Sequence, residues 1–174
     1  IFLMIGVVRD QNDSVTVSGW TAMTGSPFDR STVSRYWVFW LRAASAGETN
    51  PLFDKSTATG DTYVMVALYR GAITTGDPWE VKGTPVTTTV DPSVITGITA
   101  LTDESLIVVP VAGEDNNNAS IITTGTNPAG YTEHYDESTT GTDGVVTFSE
   151  GAQTTAAATG NVSVNWNTAI PVGA

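Results

Sequence analysis

The chain has 174 residues, no cysteine, and 18 acidic against 7 basic side chains, giving a formal net charge of −11. Disulfide bridges, thiolate metal sites and a cysteine nucleophile are therefore excluded. A surface of this sign repels phosphate backbones and anionic headgroups, which argues against nucleic acid or a membrane as partner.

Only 14% of the residues are charged. Abundant Thr, Ser, Gly and Asn make the surface polar but mostly neutral, as is common in extracellular and virion β proteins. The opening "IFLMIGVV" is too short to span a bilayer and lacks the basic flank and cleavage site of a signal peptide. It reads as a strand already under way, with the expectation that further residues precede Ile1. Apolar residues then fall in short runs or alternate with Thr and Ser, and Gly, Asn, Asp and Pro clusters interrupt them. This pattern predicts strands over 1–9, 14–23, 34–44, 61–70, 83–90, 105–112, 129–136, 144–150 and 160–170, with almost nothing helical.

The stretch 34–44 places Tyr36, Val38 and Trp40 on one face, and Trp37, Phe39 and Leu41 on the other. A strand apolar on both faces is buried on both. One face would be the core, and the other would lie under a neighbouring subunit or an extended arm. "TYVMVALYRG" (62–71) has the pattern of a central strand flanked on both sides. "PSVITGITALTDES" (92–105) has room for a crossing strand, with "LTDES" as the turn before the next one.

The two halves match at intervals. "FLMIGVVRDQND" (2–13) aligns with "LIVVPVAGEDNN" (106–117), each five apolar positions followed by an acidic, Asn-bearing loop. "SGWT" (18–21) aligns with "AGYT" (129–132), "YWVFW" (36–40) with "TFSEG" (147–151), and "VMVALYRGA" (64–72) with "WNTAIPVGA" (166–174). The expectation is one all-β domain over 1–174. It would be an eight-stranded or slightly larger jelly-roll-type β-sandwich of two pseudo-repeated four-stranded halves, 1–72 and 105–174, joined by 73–104.

The motifs Gly19-Trp20-Thr21, Tyr36-Trp37, Ala46-Gly47-Glu48 and Tyr69-Arg70-Gly71 occur in that order. Leu106 to Val111, Pro128-Ala129-Gly130-Tyr131-Thr132 and Trp166 follow in the second half. This series resembles a family of jelly-roll-like sandwich domains from phage virion proteins (capsid decoration, head fibre and tail-associated chains) and bacterial surface proteins. The resemblance implies a structural virion-surface protein with the major capsid protein or other virion proteins as partners. It also implies symmetric self-association, such as a trimer. Domains of this kind are reused in many contexts, so the fold does not fix the function.

Trp20 and Tyr131 hold equivalent places in the two halves and are expected, with Trp40 and Trp166, to be core aromatics. Trp37, Trp79 and Tyr135 are candidate partner contacts, and Trp79, in a Gly-Asp-Pro loop, either pins that loop or meets a partner. The same three form the exposed row that a carbohydrate-binding adhesin or tail-fibre domain would need. Catalysis is not expected. His134 is the sole imidazole, Asp136 two positions along the same strand orients it poorly, and no G-x-S-x-G elbow presents a serine. A glycosidase would need two carboxylates about 5–10 Å apart, and nothing singles out a pair. "GEDNNN" (113–118) and "DESTTGTDG" (136–144) are oxygen-rich like calcium loops but match neither the EF-hand nor the nonapeptide spacing; no cofactor is expected.

Overall fold

Short Thr- and Val-rich runs separated by turn residues can satisfy their backbone groups only by pairing with one another. The computed structural model describes residues 1–9, 13–30, 34–42, 49–56, 61–88, 90–113, 119–123, 127–138, 144–166 and 172–173; all its regular elements there are strands. The chain divides into two compact units, Ile1–Trp79 and Glu80–Ala174.

In the first unit, β1 (Phe2–Arg9) pairs antiparallel with β5 (Ser34–Leu41) on one side and β7 (Thr62–Leu68) on the other. β3 (Thr21–Ala22) and β4 (Phe28–Arg30) both pair with the far edge of β5. A separate ribbon of β2 (Val15–Val17) and β6 (Phe53–Lys55) forms the second layer. The expected single strand 14–23 is broken because Gly19 takes a left-handed φ of 81°, and the Trp20 N–H closes the turn on the Val17 carbonyl at 3.0 Å. Ser56 ties the ribbon down: its hydroxyl donates to Asp13 Oδ1 at 3.2 Å and accepts from the Ser14 N–H at 3.0 Å.

Between these layers lie Val15, Val17, Trp37 and Phe39, with Trp20 and Phe53 packed against them. Trp37 stacks on Phe39 at 5.8 Å, and Phe53 meets Phe39 edge-on at 6.2 Å. Tyr36 and Val38, on the opposite face of β5, are buried too. The strand is thus buried on both faces as its sequence implies. The Trp37 and Phe39 face is a core face, covered by the chain's own β2–β6 ribbon. β7 departs from expectation. It stands last in its sheet, pairing only with β1 among the described residues, and the central position belongs to β1.

In the second unit, β10 (Ser105–Gly113) lies between β13 (Val145–Gln153) and β15 (Val172–Gly173). β12 (Thr132–Ser138) flanks β13, and β8 (Thr87–Thr88) flanks β15. A second sheet runs β11 (Ala119–Thr123), β14 (Val162–Trp166), β9 (Ser93–Ile95), so the ambiguous stretch 92–105 does hold a strand, followed by a turn. The sheets bury Ile107, Val109, Val111 and Val145 against Val162, Val164 and Trp166. Each buried valine contributes about 1.5–3 kcal/mol of transfer free energy.

The inward row of β13 continues as Thr147, Ser149 and Gln153, all at most 1% exposed. Gln153 Nε2 donates to the carbonyls of Thr155 (2.9 Å) and Ala157 (2.7 Å), fastening the chain as it leaves the strand. Gly97 sits against the Gly160 backbone so closely that a Cβ would overlap its carbonyl.

The two principal sheets share an order: β3-β5-β1-β7 in one, β12-β13-β10-β15 in the other. Their registers correspond as well, with Gly6 opposite Trp37 and Pro110 opposite Phe148. The last matched segments do not correspond. Trp166 lies on β14 in the other sheet, and β15 takes the place equivalent to β7.

Candidate functional site

At the end of β5 the strand exposes an aromatic and basic cluster. Trp79 meets Trp40 edge-on, with centroids 6.4 Å apart and planes at 79°. Arg42 lies over the Trp40 ring at 5.3 Å, a cation–π contact of about 0.5–1 kcal/mol at such a site. The Arg42 Nη2 also donates to the carbonyls of Ile73 (2.7 Å) and Gly76 (3.2 Å). The 72–79 loop is therefore gathered onto β5 from both ends, and Trp79 is engaged within its own unit. Trp40, expected as core, is half-buried, as is Trp79.

Trp37, expected among the partner contacts, is 7% exposed and sits in the aromatic core. The side chain of Tyr135 lies outside the described residues. The three aromatics of the exposed row are thus not brought together: one is interior and one is paired with Trp40. Of the expected core aromatics, Trp166 is 3% exposed, and Trp20 and Tyr131 pack partly buried against their clusters. Burial pushes the Tyr131 phenol upward from its ordinary value, and its hydroxyl has no hydrogen-bond partner among the described residues.

His134 occupies a position that the sequence alternation does not reveal. Glu133 pairs with Ser149 and Tyr135 with Phe148, leaving His134 as the extra residue of a β-bulge. Its Nε2 lies 2.9 Å from Glu150 Oε2 on β13, and the imidazole is 54% exposed. The histidine therefore pairs across the sheet with Glu150; the side chain of Asp136, weighed as its orienting partner, lies outside the described residues. The Ser149 hydroxyl next to Glu150 is buried and makes no hydrogen bond among the described residues.

Acidic side chains in the second unit hold turns. The Glu80 carboxylate accepts the Leu101 N–H at 2.9 Å, the Thr102 N–H at 3.4 Å, the Thr102 hydroxyl at 2.9 Å and the Ser105 hydroxyl at 3.1 Å. The Leu101 N–H, followed by the Thr102 hydroxyl, holds its pKa below the ordinary value by stabilising the charged form. Glu80 thereby braces the "LTDES" turn, where Glu104 adopts a φ of 57°. Asp103 Oδ1 accepts the Ala156 N–H at 2.7 Å, and Asp91 Oδ1 the Trp166 N–H at 3.2 Å. Among the described residues no group of three His, Cys, Asp or Glu side chains could hold a metal ion. The candidate calcium loops fall mostly outside those residues.

The exposed large hydrophobic side chains of the described residues are all aliphatic. Val64, Val66 and Leu68 (37%, 41% and 54% exposed) form a row on β7, and Leu52, Ile73, Val90, Val94, Leu101 and Leu106 lie elsewhere. The row was missed in the sequence because Met65 and Ala67 make the other face of the strand equally apolar. Only the edge position distinguishes them. Comparisons with family models, with curated proteins and with solved structures found no match to this chain.

Proposed function

We propose that this chain is a non-enzymatic structural protein of a virion surface, a capsid decoration or stabilising protein on a phage-like particle. Its partners would be the major capsid protein or other virion proteins. The observation that carries the reading is the chemistry of the large apolar side chains exposed among the described residues: they are aliphatic, with a row on β7, while Trp37 is interior and Trp79 is engaged with Trp40. Aliphatic side chains gain by lying against other apolar protein surface. Sugar rings are held by exposed aromatic faces, so the carbohydrate-binding alternative lacks its platform in Trp37. The net charge of −11 favours a protein partner over nucleic acid.

The finer architecture belongs to the same proposal. A jelly-roll-type sandwich of two pseudo-repeated halves is supported by the common strand order of the two sheets and by the matching register at Trp37 and Phe148.

The test is co-sedimentation of the purified chain with undecorated capsids. Pelleting at a fixed copy number per particle is the expected result, weakened by Leu52→Asp or Leu68→Asp. A chain that stays in the supernatant at every ratio overturns the reading.

A further inference from the structure

β7 differs from the other long edge strand in how its edge is protected. Natural sheets guard exposed edges with charges, prolines or bulges, because an unpaired edge templates another strand. β12, flanking β13, has a bulge at His134 and a sequence containing Glu133, Asp136 and Glu137. β7 reads Thr62-Tyr63-Val64-Met65-Val66-Ala67-Leu68, with no charge, proline or glycine, and its register with β1 is unbroken.

The ladder shows which backbone groups face outward. The Ile1 amino group donates to the Tyr69 carbonyl at 2.6 Å, and the Tyr69 N–H donates to the Ile1 carbonyl at 2.8 Å, which makes this a hydrogen-bonded pair. Antiparallel pairs alternate between bonded and non-bonded. The register therefore turns Tyr63, Met65 and Ala67 toward β1, and turns the N–H and C=O groups of Thr62, Val64, Val66 and Leu68 away from it. The residues with outward backbone groups include the whole exposed aliphatic row.

We propose that this edge is the interface of a two-fold dimer, in which β7 pairs antiparallel with β7 of a second copy about Met65. That axis sets Val64 opposite the partner's Val66 and Thr62 opposite the partner's Leu68. It occupies every outward backbone group of the strand and joins the two aliphatic rows into one stripe. Charge selects a second copy in this orientation. Exposed Asp61 precedes the strand and exposed Arg70 follows it, so antiparallel pairing brings each Asp61 beside the partner's Arg70. A parallel arrangement would set like charges together. In a chain of net charge −11, this local complementarity offsets the general repulsion between copies. Edge pairing of this kind is isologous and closes at two copies, in place of the three-fold association expected from the sequence. The inference does not depend on the capsid reading.

The experiment is sedimentation equilibrium of the full chain, free of capsids. The expected mass is twice that of the monomer. Val66→Lys should give a monomer with an unchanged far-ultraviolet circular dichroism spectrum, because the side chain is exposed. Asp61→Arg and Arg70→Glu should each raise the dimer dissociation constant roughly tenfold, and the double substitution should restore it. A monomer at all concentrations, a trimer, a Val66→Lys dimer, or a double charge swap no tighter than the single ones overturns the proposal.

Discussion

The two units fill similar two-layer frames with different side chains. In the first, a ribbon of three-residue strands covers its sheet, and closure depends on bulk: Trp37 and Phe39 of the sheet stack, and Phe53 of the ribbon abuts Phe39 between the layers. In the second, a three-stranded sheet provides a longer lid over β10 and β13, and valine predominates beside the single buried indole of Trp166, with Thr147, Ser149 and Gln153 admitted to the buried row. The difference teaches that area of cover and size of side chain substitute for one another. Few cover residues demand large rings, whereas more cover tolerates small and even polar groups.

Substitution should expose this contrast most strongly at the rings. Phe39→Ala removes the ring that both Trp37 and Phe53 touch and should cost about 3–5 kcal/mol in urea unfolding, against about 2 kcal/mol for Val164→Ala at the equally buried lid of the second unit. Equal losses would break the comparison. Gly97→Ala sharpens it from the other side, since overpacking against the Gly160 carbonyl should destabilise by about 1–3 kcal/mol. Thermal melting of that variant unchanged from the parent would show the second unit to be looser than its packing suggests.

The smallest effect is expected at Glu80. Its folded pKa lies below the ordinary 4.5, so its bracing is present above that value and is lost as pH falls through the lowered one. Glu80→Gln should therefore be less stable than the parent at neutral pH. The gap should close on acidification below 4.5, as measured by melting temperature across the acid range.

Much of this frame was legible in the residues. The runs at 1–9 and 105–112 announced β1 and β10 as strands, though not their central place, and Tyr36 to Phe39 announced a strand buried on both faces. Phe28-Asp29-Arg30 and Phe53-Asp54-Lys55 gave no such sign, because three residues carrying two charges have no period to detect. The bulge at His134 left no mark either: an inserted residue shifts which face each neighbour takes without changing composition. The edge position of β7 is a property of the sheet, set by which strands it meets, and an apolar run reads alike in the middle and at the margin.

The Trp40–Trp79 pair also gives the first unit its own optical signature. Two indoles 6.4 Å apart with planes at 79° have coupled electronic transitions, so they should produce a paired circular dichroism band that vanishes when the 72–79 loop leaves β5. Of the five tryptophans, only Trp166 belongs to the second unit. Native fluorescence therefore reports chiefly on the first unit, and its loosening can be followed without attaching a dye.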